Sequence, residues 1–285
     1  MSQRRYFYLL LLIIGLGFAL RVYQLDAKPF WFDEGISADL AMAPPGYVLQ
    51  TIDRPPMYYL LLRDWTGVAG VSPFALRFFS AWWGTLALVF LYRLARQVVD
   101  RRLSLYALLL ATFAPFYVRY AQEARTYSLT LTLALLSCWA LLVWLKRGRT
   151  RYLVLNAIAT LGCLYTHYSL LLLPVAQGLF VLLTTWRDVK RSQVFFTPST
   201  TSGANFFVPL PHHLPKSPLK QQRPWLWIGA QIIVGLLFLP WLLHAWRGLP
   251  ELIAPQAEPS PFTVWQQGAN FTSTTLLEFS AGQPL

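Results

Sequence analysis

Carboxylate, guanidinium and imidazole side chains are concentrated in four short motifs of this sequence. The motifs are WFDEG with Asp33 and Glu34, DRPPMYY with Asp53 and Arg54, RYAQEARTY with Arg119, Glu123 and Arg125, and YTHYS with His167. A carboxylate can act as a general base, and guanidinium groups bind phosphates through short, often bidentate hydrogen bonds. These residue types together fit the transfer of a sugar from a lipid phosphate to a hydroxyl or amine, in which arginines neutralise the departing phosphate.

Membrane-spanning helices must position these motifs. The 285 residues are 55% hydrophobic and only 13% charged, a balance typical of an integral membrane protein. Apolar runs predict seven transmembrane helices, at about residues 6–22, 74–94, 103–117, 127–145, 152–165, 168–184 and 225–246. The predicted fold class is therefore an all-α polytopic membrane protein.

The distribution of charge predicts the orientation of these helices. If the N-terminus is cytoplasmic, most of the 24 Lys and Arg residues lie in cytoplasmic loops, and most of the 12 Asp and Glu residues lie outside. Such a bias is typical of the positive-inside rule and predicts a cytoplasmic N-terminus. All four motifs then lie at the extracytoplasmic surface. The net charge of +12 is explained by this topology, so nucleic acid is excluded as a partner.

The chain divides into four predicted regions. They are a transmembrane catalytic core at 1–185 with its first outer loop at about 23–73, a cytoplasmic Pro/Ser/Thr-rich loop at 186–224, a seventh transmembrane helix at 225–246, and an extracytoplasmic segment at 247–285. In the first outer loop, DEGISADLAM and PPMYYLLLRDW predict two short helices lying on the membrane surface. The adjacent His212 and His213 lie in the cytoplasmic loop and are interpreted as a surface pair rather than a metal site. An odd number of spans predicts that the chain is incomplete.

The order of four sequence segments carries a resemblance to a known family. FWFDEG after the first span, then DRPPMYYLLL, SPFALRFFSAWWG and RYAQEARTYSL, closely resemble polyprenyl-phosphate-sugar-dependent glycosyltransferases of the GT-C superfamily. The nearest relatives look like bacterial glycosyltransferase family 39, the protein O-mannosyltransferase group, with the lipid A aminoarabinose transferases as cousins. The resemblance covers about residues 1–185. It implies a GT-C-like helical bundle in the plasma (inner) membrane, a polyprenyl phosphate sugar donor, and a protein, lipid or glycan acceptor outside.

The same resemblance implies roles for three acidic residues. Asp33, with Glu34 beside it, corresponds to the catalytic base in the first outer loop, and Glu123 to the second acidic residue of the site. The reaction would be a single displacement that inverts the anomeric carbon. Two simpler interpretations stay open, since Asp33 could cap a short helix and Glu123 could form a solvated pair with Arg125.

Five further residues are candidates for substrate or phosphate binding: Asp53, Arg54, Arg77, Arg125 and His167. Arg77 could instead extend to the lipid headgroups, and His167 could be a simple interfacial hydrogen bonder. A divalent metal is not required, because arginines alone can stabilise a monophosphate leaving group. Asp53 and His167 are the first ligands to suspect if a metal binds.

Two other classes of function remain open. A lipid-linked sugar flippase or other transporter needs a continuous polar path through the spans, whereas the carboxylates of this sequence lie outside the seven apolar runs. A noncatalytic, truncated relative would act as a membrane scaffold. Clustering of polar groups at one surface favours the transferase, and their stacking at the membrane midplane favours the transporter.

Overall fold

The described part of the chain is built from α-helices. A computed structural model describes residues 3–51, 54–194 and 224–253, and contains no strand within these ranges. The helices are α1 Gln3–Val22, α2 Phe32–Met42, α3 Pro45–Gln50, α4 Met57–Ala69, α5 Pro73–Val98, α6 Arg101–Phe113, α7 Pro115–Ala121, α8 Tyr127–Arg147, α9 Thr150–Leu164, α10 Leu172–Val194 and α11 Pro224–Ile253, with a 3-10 helix at Tyr168–Leu171 before α10. The prediction of an all-α polytopic membrane protein is confirmed.

Five helical segments are long and apolar enough to cross a membrane. They are α1, α5, α8, Tyr168–Trp186 and Pro224–Arg247, and each coincides with a predicted span. The consecutive helices α6 and α7 make a sixth if they are counted as one bent span. The remaining predicted span is α9, whose 15 residues are fewer than the roughly 20 that a perpendicular helix needs. The structure therefore supports five or six spans, and the seventh stays a prediction.

The bend between α6 and α7 has a local cause. Pro115 has no backbone N–H to donate to the carbonyl of Ala111, and its ring disfavours helical geometry at Ala114. The helix axis turns by 59° at this point, and α7 restarts with Pro115 as its first residue. On α5, Gly84 allows α7 to approach closely, because a Cβ there would lie 2.6 Å from the Cβ of Ala121.

A buried polar cluster joins α8, α9, α10 and α11. The Nδ2 of Asn156 donates to the carbonyl of Ser137 at 3.1 Å and to the Oε1 of Gln177 at 3.1 Å. Its Oδ1 accepts from the Nε1 of Trp227 at 3.2 Å and from the Nε2 of Gln231 at 3.1 Å. These side chains are neutral and bonded to one another, as in hydrogen bonding that holds membrane helices together, although the Oε1 of Gln231 has no partner among the described residues.

The two ends of the bundle differ in charge. The hydroxyl of Tyr6 donates to the carbonyl of Arg101 at 3.0 Å, and Lys146 donates to the carbonyl of Gln97. The start of α1, the end of α5, the start of α6 and the end of α8 therefore meet, and the loops at this end are rich in Lys and Arg. The N-terminus and these basic loops thus lie at the same end of the bundle, as the prediction of a cytoplasmic N-terminus requires. The orientation of the bundle in the membrane stays a prediction.

Three helices lie between α1 and α5, in the predicted first outer loop. The helices α2 and α4 are in the two predicted places, and α3 was not predicted. Tyr58 and Leu62 of α4 are fully buried, and the hydroxyl of Tyr58 bonds the hydroxyl of Ser80 at 3.1 Å. The helix α4 is thus packed against α5 and fixes the geometry of this end of the bundle.

Two helices end later in the chain than the predicted regions that contain them. The helix α10 continues to Val194, beyond the predicted end of the core at 185, and α11 continues to Ile253, beyond 246. Most of the predicted cytoplasmic loop, with His212 and His213, and most of the predicted C-terminal segment lie outside the described residues.

Candidate functional site

Asp33 and Glu34 lie in the first turn of α2, where the helix dipole favours negative charge. The helix starts at Phe32 after Trp31, so the interpretation of Asp33 as the capping residue is wrong. Successive helical residues are rotated by about 100° around the axis. The two neighbouring carboxylates therefore point in different directions and have different surroundings.

The Glu34 carboxylate is buried and holds three parts of the chain together. It is 1% exposed and pairs with Arg77 of α5 through Nε to Oε1 at 2.8 Å and Nη2 to Oε2 at 2.6 Å. The backbone N–H of Ala124 donates to the same Oε1 at 2.8 Å. Glu34 thus joins α2 to α5 and to the turn between α7 and α8.

All five N–H donors of Arg77 are bonded to protein acceptors. Besides the two bonds to Glu34, Nη1 donates to the carbonyls of Leu25 and Lys28 at 2.7 Å each, and Nη2 donates to that of Pro29 at 3.0 Å. A guanidinium has five N–H donors, so a phosphate could bind Arg77 only by displacing one of these partners. The alternative that Arg77 extends to lipid headgroups is wrong, because the side chain is buried and points at the protein.

Asp33 forms an ion pair with Arg125, a residue of the turn between α7 and α8. Its Oδ2 lies 3.2 Å from the Nη2 of Arg125, whose Nη1 also donates to the backbone carbonyl of Asp33 at 3.2 Å. The side chain of Asp33 is 29% exposed and that of Arg125 is 15% exposed. The Nε of Arg125 is buried and has no hydrogen-bond partner among the described residues. Asp33 is therefore the accessible member of the carboxylate pair.

Glu123 pairs with Arg119, not with Arg125, so the interpretation of a Glu123–Arg125 pair is wrong. The Nε of Arg119 donates to the Oε1 of Glu123 at 3.3 Å, and the arginine is largely exposed. Burial raises the pKa of Glu123 above its ordinary value of 4.5. The hydrogen bond and charge of Arg119 lower this pKa, and the charge of Glu34 raises it.

A cavity of about 600 Å³ opens beside these groups. Its polar lining includes Glu34, Arg77, Arg119, Gln122 and Glu123 together with Gln24 and Lys28, and its other walls include Tyr23, Pro29 and Trp31. The volume is in the range of small-molecule sites, roughly 300–1,000 Å³. Asp33 and Arg125 are not among the residues that line this cavity. The structure thus brings the first and third motifs together at one end of the bundle.

The second and fourth motifs lie side by side at the same end. The backbone N–H of Met57 donates to the carbonyl of Tyr165 at 2.9 Å, which joins the start of α4 to the end of α9. His167 is exposed, and its Nδ1 accepts from the backbone N–H of Ser169 at 3.2 Å, so it caps the 3-10 helix. Arg54 is half-buried. Asp53 lies outside the described residues.

A metal site is not formed by the described side chains alone. Within residues 3–51, 54–194 and 224–253, no group of three or more His, Cys, Asp and Glu residues is placed to hold an ion. The suspected ligand set of Asp53 and His167 includes a residue beyond these ranges. Binding of a divalent metal by Asp53 and His167 therefore stays a hypothesis from the sequence.

Three contributors to this region were missed from the sequence. The backbone N–H of Ala124 is a ligand of Glu34 that no residue pattern reveals. Arg21, near the end of α1, is fully buried, and an arginine inside an apolar run was the available indication. Gln122 also contributes, since its Nε2 donates to the carbonyls of Leu20 and Tyr23 at 3.0 Å each and ties α7 to α1.

Comparison with known proteins identifies a family. The family model described as dolichyl-phosphate-mannose-protein mannosyltransferase matches residues 53–212, more than half of the chain. The matched region contains Arg77, Glu123, Arg125 and His167, and begins after Asp33 and Glu34. No curated protein matches the chain significantly.

Proposed function

The chain belongs to the dolichyl-phosphate-mannose-protein mannosyltransferase family and is a membrane glycosyltransferase of the GT-C type, and from this premise we propose that it uses a polyprenyl phosphate sugar as donor. The acceptor is a hydroxyl or amine of a protein, lipid or glycan. The reaction takes place at the end of the bundle that carries Asp33, which we assign to the extracytoplasmic side of the plasma (inner) membrane. Mannose is the first sugar to test, because the family is named for it.

The observation that carries this proposal is the contrast between Asp33 and Glu34. Glu34 is buried and its oxygens are taken up by Arg77 and Ala124. Asp33 is partly exposed and lies beside the positive charge of Arg125. Neighbouring carboxylates in different environments commonly have different tasks. We assign the general base to Asp33, and a positioning role to Glu34 in place of the catalytic role predicted from the sequence.

The proposed step is one displacement. The acceptor O–H or N–H gives its proton to Asp33, and the acceptor atom forms a bond to the anomeric carbon of the sugar. The bond between that carbon and the phosphate oxygen breaks, and its electron pair leaves with the polyprenyl phosphate. Attack opposite to the leaving group inverts the anomeric configuration.

Arg125 is the proposed phosphate ligand. It is close to Asp33 and its Nε is not bonded to another described residue, so the guanidinium can share its donors with a phosphate oxygen. Arg77 is assigned a positioning role instead of the predicted phosphate contact, because its five donors hold Glu34 and three carbonyls. The positive charge of Arg125 allows the reaction to proceed without a divalent metal.

Glu123 and the cavity beside it are proposed to hold polar groups of the sugar or acceptor. The cavity is lined by Arg119, Gln122 and Glu123, which together offer donors and acceptors for hydroxyl groups. Arg54 and His167 remain proposed contacts to the substrate, since the Met57–Tyr165 hydrogen bond places their segments together at the same end. Asp53 is kept as a proposed contact on sequence grounds only.

The transporter alternative is less well supported. The polar cluster around Asn156 is in the membrane-spanning region, as that alternative requires, but its described members are neutral and bonded to one another. Ion- and proton-coupled transport relies on ionisable residues in the spans. The cluster is better explained as the contact that holds α8 to α11 together.

A transfer assay on membranes tests the proposal. Membranes with the full-length gene product, or with its Asp33→Asn or Asp39→Asn variant at matched abundance, receive labelled polyprenyl phosphate sugars, beginning with mannose. Asp39 is an exposed aspartate on the same helix and is the matched control. Loss of the general base is expected to lower transfer by about 100-fold to 10,000-fold, and Asp39→Asn is expected to leave it unchanged.

Two results would contradict the proposal in different ways. Equal transfer by the native protein and Asp33→Asn would remove Asp33 as the base. Absence of transfer from every donor in the panel by the native protein would favour the noncatalytic scaffold. Analysis of the anomeric configuration of the product tests the proposed inversion separately.

A further inference from the structure

Arg21 is a buried cation that the proposed reaction does not use. It is 1% exposed and lies one residue before the end of α1, a helix long and apolar enough to cross a membrane. Side chains on a helix point back toward its N-terminus, and the Nη1 of Arg21 donates to the carbonyl of Gly17 at 2.9 Å. The guanidinium is therefore drawn one turn deeper into the bundle than its backbone.

The hydrogen bonds of Arg21 leave its charge unbalanced. Its Nη2 donates to the carbonyl of Ala111 at 3.4 Å, the carbonyl that Pro115 cannot bond. The Nε is buried and has no hydrogen-bond partner among the described residues. Arg77, Arg119 and Arg125 form ion pairs with carboxylates, whereas Arg21 forms none with a described residue. Arginine stays charged in proteins, so an anion is the missing partner.

Arg21 lines a cavity whose other walls are mostly apolar. The cavity has a volume of about 370 Å³ and lies among α1, α5, α6, α7 and α8. Its walls include Leu88, Leu91, Leu131, Leu135, Phe116 and Tyr120. Gly84, the residue on α5 that faces the Nε of Arg21, adds no side chain to this space. One cation at an apolar cavity matches a molecule with one anionic group and a hydrocarbon chain.

We propose that Arg21 and this cavity bind the phosphate headgroup of a lipid, with its aliphatic chain against the leucine side chains. Two sources share this chemistry: the polyprenyl phosphate of the proposed reaction and a phospholipid of the surrounding membrane. The helix α7 separates this cavity from the candidate site, since Tyr120 and Ala121 line one cavity and Arg119 and Gln122 line the other. A bound lipid phosphate would thus be separated from the candidate site by the helix α7.

The lipid site stands without the proposed reaction, because it rests on the burial, charge and cavity of Arg21. Only the choice of polyprenyl phosphate over phospholipid depends on the proposed function. The Asp33→Asn variant separates the two proposals. It is expected to lose transfer and to retain lipid binding at Arg21. Failure of one proposal would therefore be detected even if the other proposal is correct.

The test is photolabelling of the full-length protein in detergent. The probes are a polyprenyl monophosphate and a phosphatidylglycerol, each with a photoreactive group in the chain, and inorganic phosphate is the competitor. Peptides that contain Leu131 and Leu135 of α8 are expected to be labelled. Arg21→Met removes the cation and is expected to lower this labelling about tenfold or more, as for a lost charge-assisted hydrogen bond. Arg96→Met removes an exposed guanidinium at the end of α5 and is expected to leave it unchanged.

A second variant keeps the proposal testable if Arg21→Met does not fold. Leu135→Trp fills the cavity while Arg21 and its hydrogen bonds stay in place, and it is expected to lower the labelling to a similar extent. The lipid whose unlabelled form competes more strongly is the source. Labelling of α8 that is unchanged in folded Leu135→Trp, or that inorganic phosphate displaces as well as lipid does, would overturn the proposal.

Discussion

Arg77 binds the carboxylate of Glu34 at two points, from Nε to Oε1 at 2.8 Å and from Nη2 to Oε2 at 2.6 Å, and both side chains are buried. The pair connects α2, which lies between α1 and α5 in the chain, to α5 in the centre of the bundle. Since the same guanidinium also holds three carbonyls between α1 and α2, it fixes the path of the chain that leads to Asp33. The position of the proposed base thus depends on two residues to which we assign positioning roles.

Arg77→Lys is expected to destabilise the protein by about 3 kcal/mol or more, because an ammonium cannot replace five fixed donors and leaves a buried charge partly unpaired. Arg119→Lys, at the exposed pair with Glu123, is expected to change stability by less than about 1 kcal/mol. The measurement is the unfolding free energy in detergent by denaturant titration. Equal stability of the two variants would show that the Glu34–Arg77 pair is not a main contact of the fold.

Arg125→Lys is expected to lower kcat/KM for transfer by about tenfold or more, with the protein still folded. Lysine cannot contact the carboxylate and the carbonyl of Asp33 and also bind a phosphate, as a planar guanidinium can. Steady-state kinetics with the donor varied provide the measurement, and Arg96→Lys, at an exposed arginine near the other end of α5, is the control. A variant with native kinetics would remove Arg125 from the proposed phosphate site.

Glu123 is expected to make stability depend on pH. Burial raises its pKa in the folded state, so between 4.5 and the raised value the folded protein binds more protons than the unfolded chain. The unfolding free energy therefore falls as pH rises through this window. Glu123→Gln removes that slope, and Arg119→Gln steepens it, because the charge of Arg119 opposes the shift. Thermal unfolding followed across this pH range is the measurement, and an unchanged slope in Glu123→Gln would contradict the assignment.

Asn156→Leu is expected to destabilise the contact of α9 with α8, α10 and α11. The variant loses five hydrogen bonds, each worth roughly 0.6 kcal/mol and at most about 1.7 kcal/mol between membrane helices. The matched control is Val154→Leu on the exposed face of the same helix. Unfolding in detergent followed by circular dichroism measures both variants, and stability equal to the control would show that the cluster is dispensable.

Apolar runs and turn residues predicted most of the helices, since composition alone sets where a helix can cross a membrane. The bend at Ala114 was not predicted although Pro115 was visible, because apolar composition continues across it to Tyr117. The short helix α3, which begins with Pro45, was also missed, since PGYVLQ has too few residues to show a period.

The candidate site could be predicted in part. The sequence grouped Asp33, Glu34, Glu123 and Arg125 by topology. The structure joins Asp33 to Arg125, and it joins Glu34 to the turn that contains Glu123. It could not assign partners, because Arg119 and Arg125 are equally plausible neighbours of Glu123 in the linear order. The same holds for Arg77, whose five acceptors are known only once the loop after α1 is folded.

The contacts of Glu34 also set an order of events during synthesis. Its two main partners, Arg77 and the N–H of Ala124, come 43 and 90 residues later in the chain. At a synthesis rate of about 5–20 residues per second, the Glu34 carboxylate waits roughly 2–9 s for the arginine and roughly 5–18 s for the amide. The segment between α1 and α5 therefore leaves the ribosome well before the contacts of Glu34 can form. A nascent chain that stops short of residue 124 never completes these contacts.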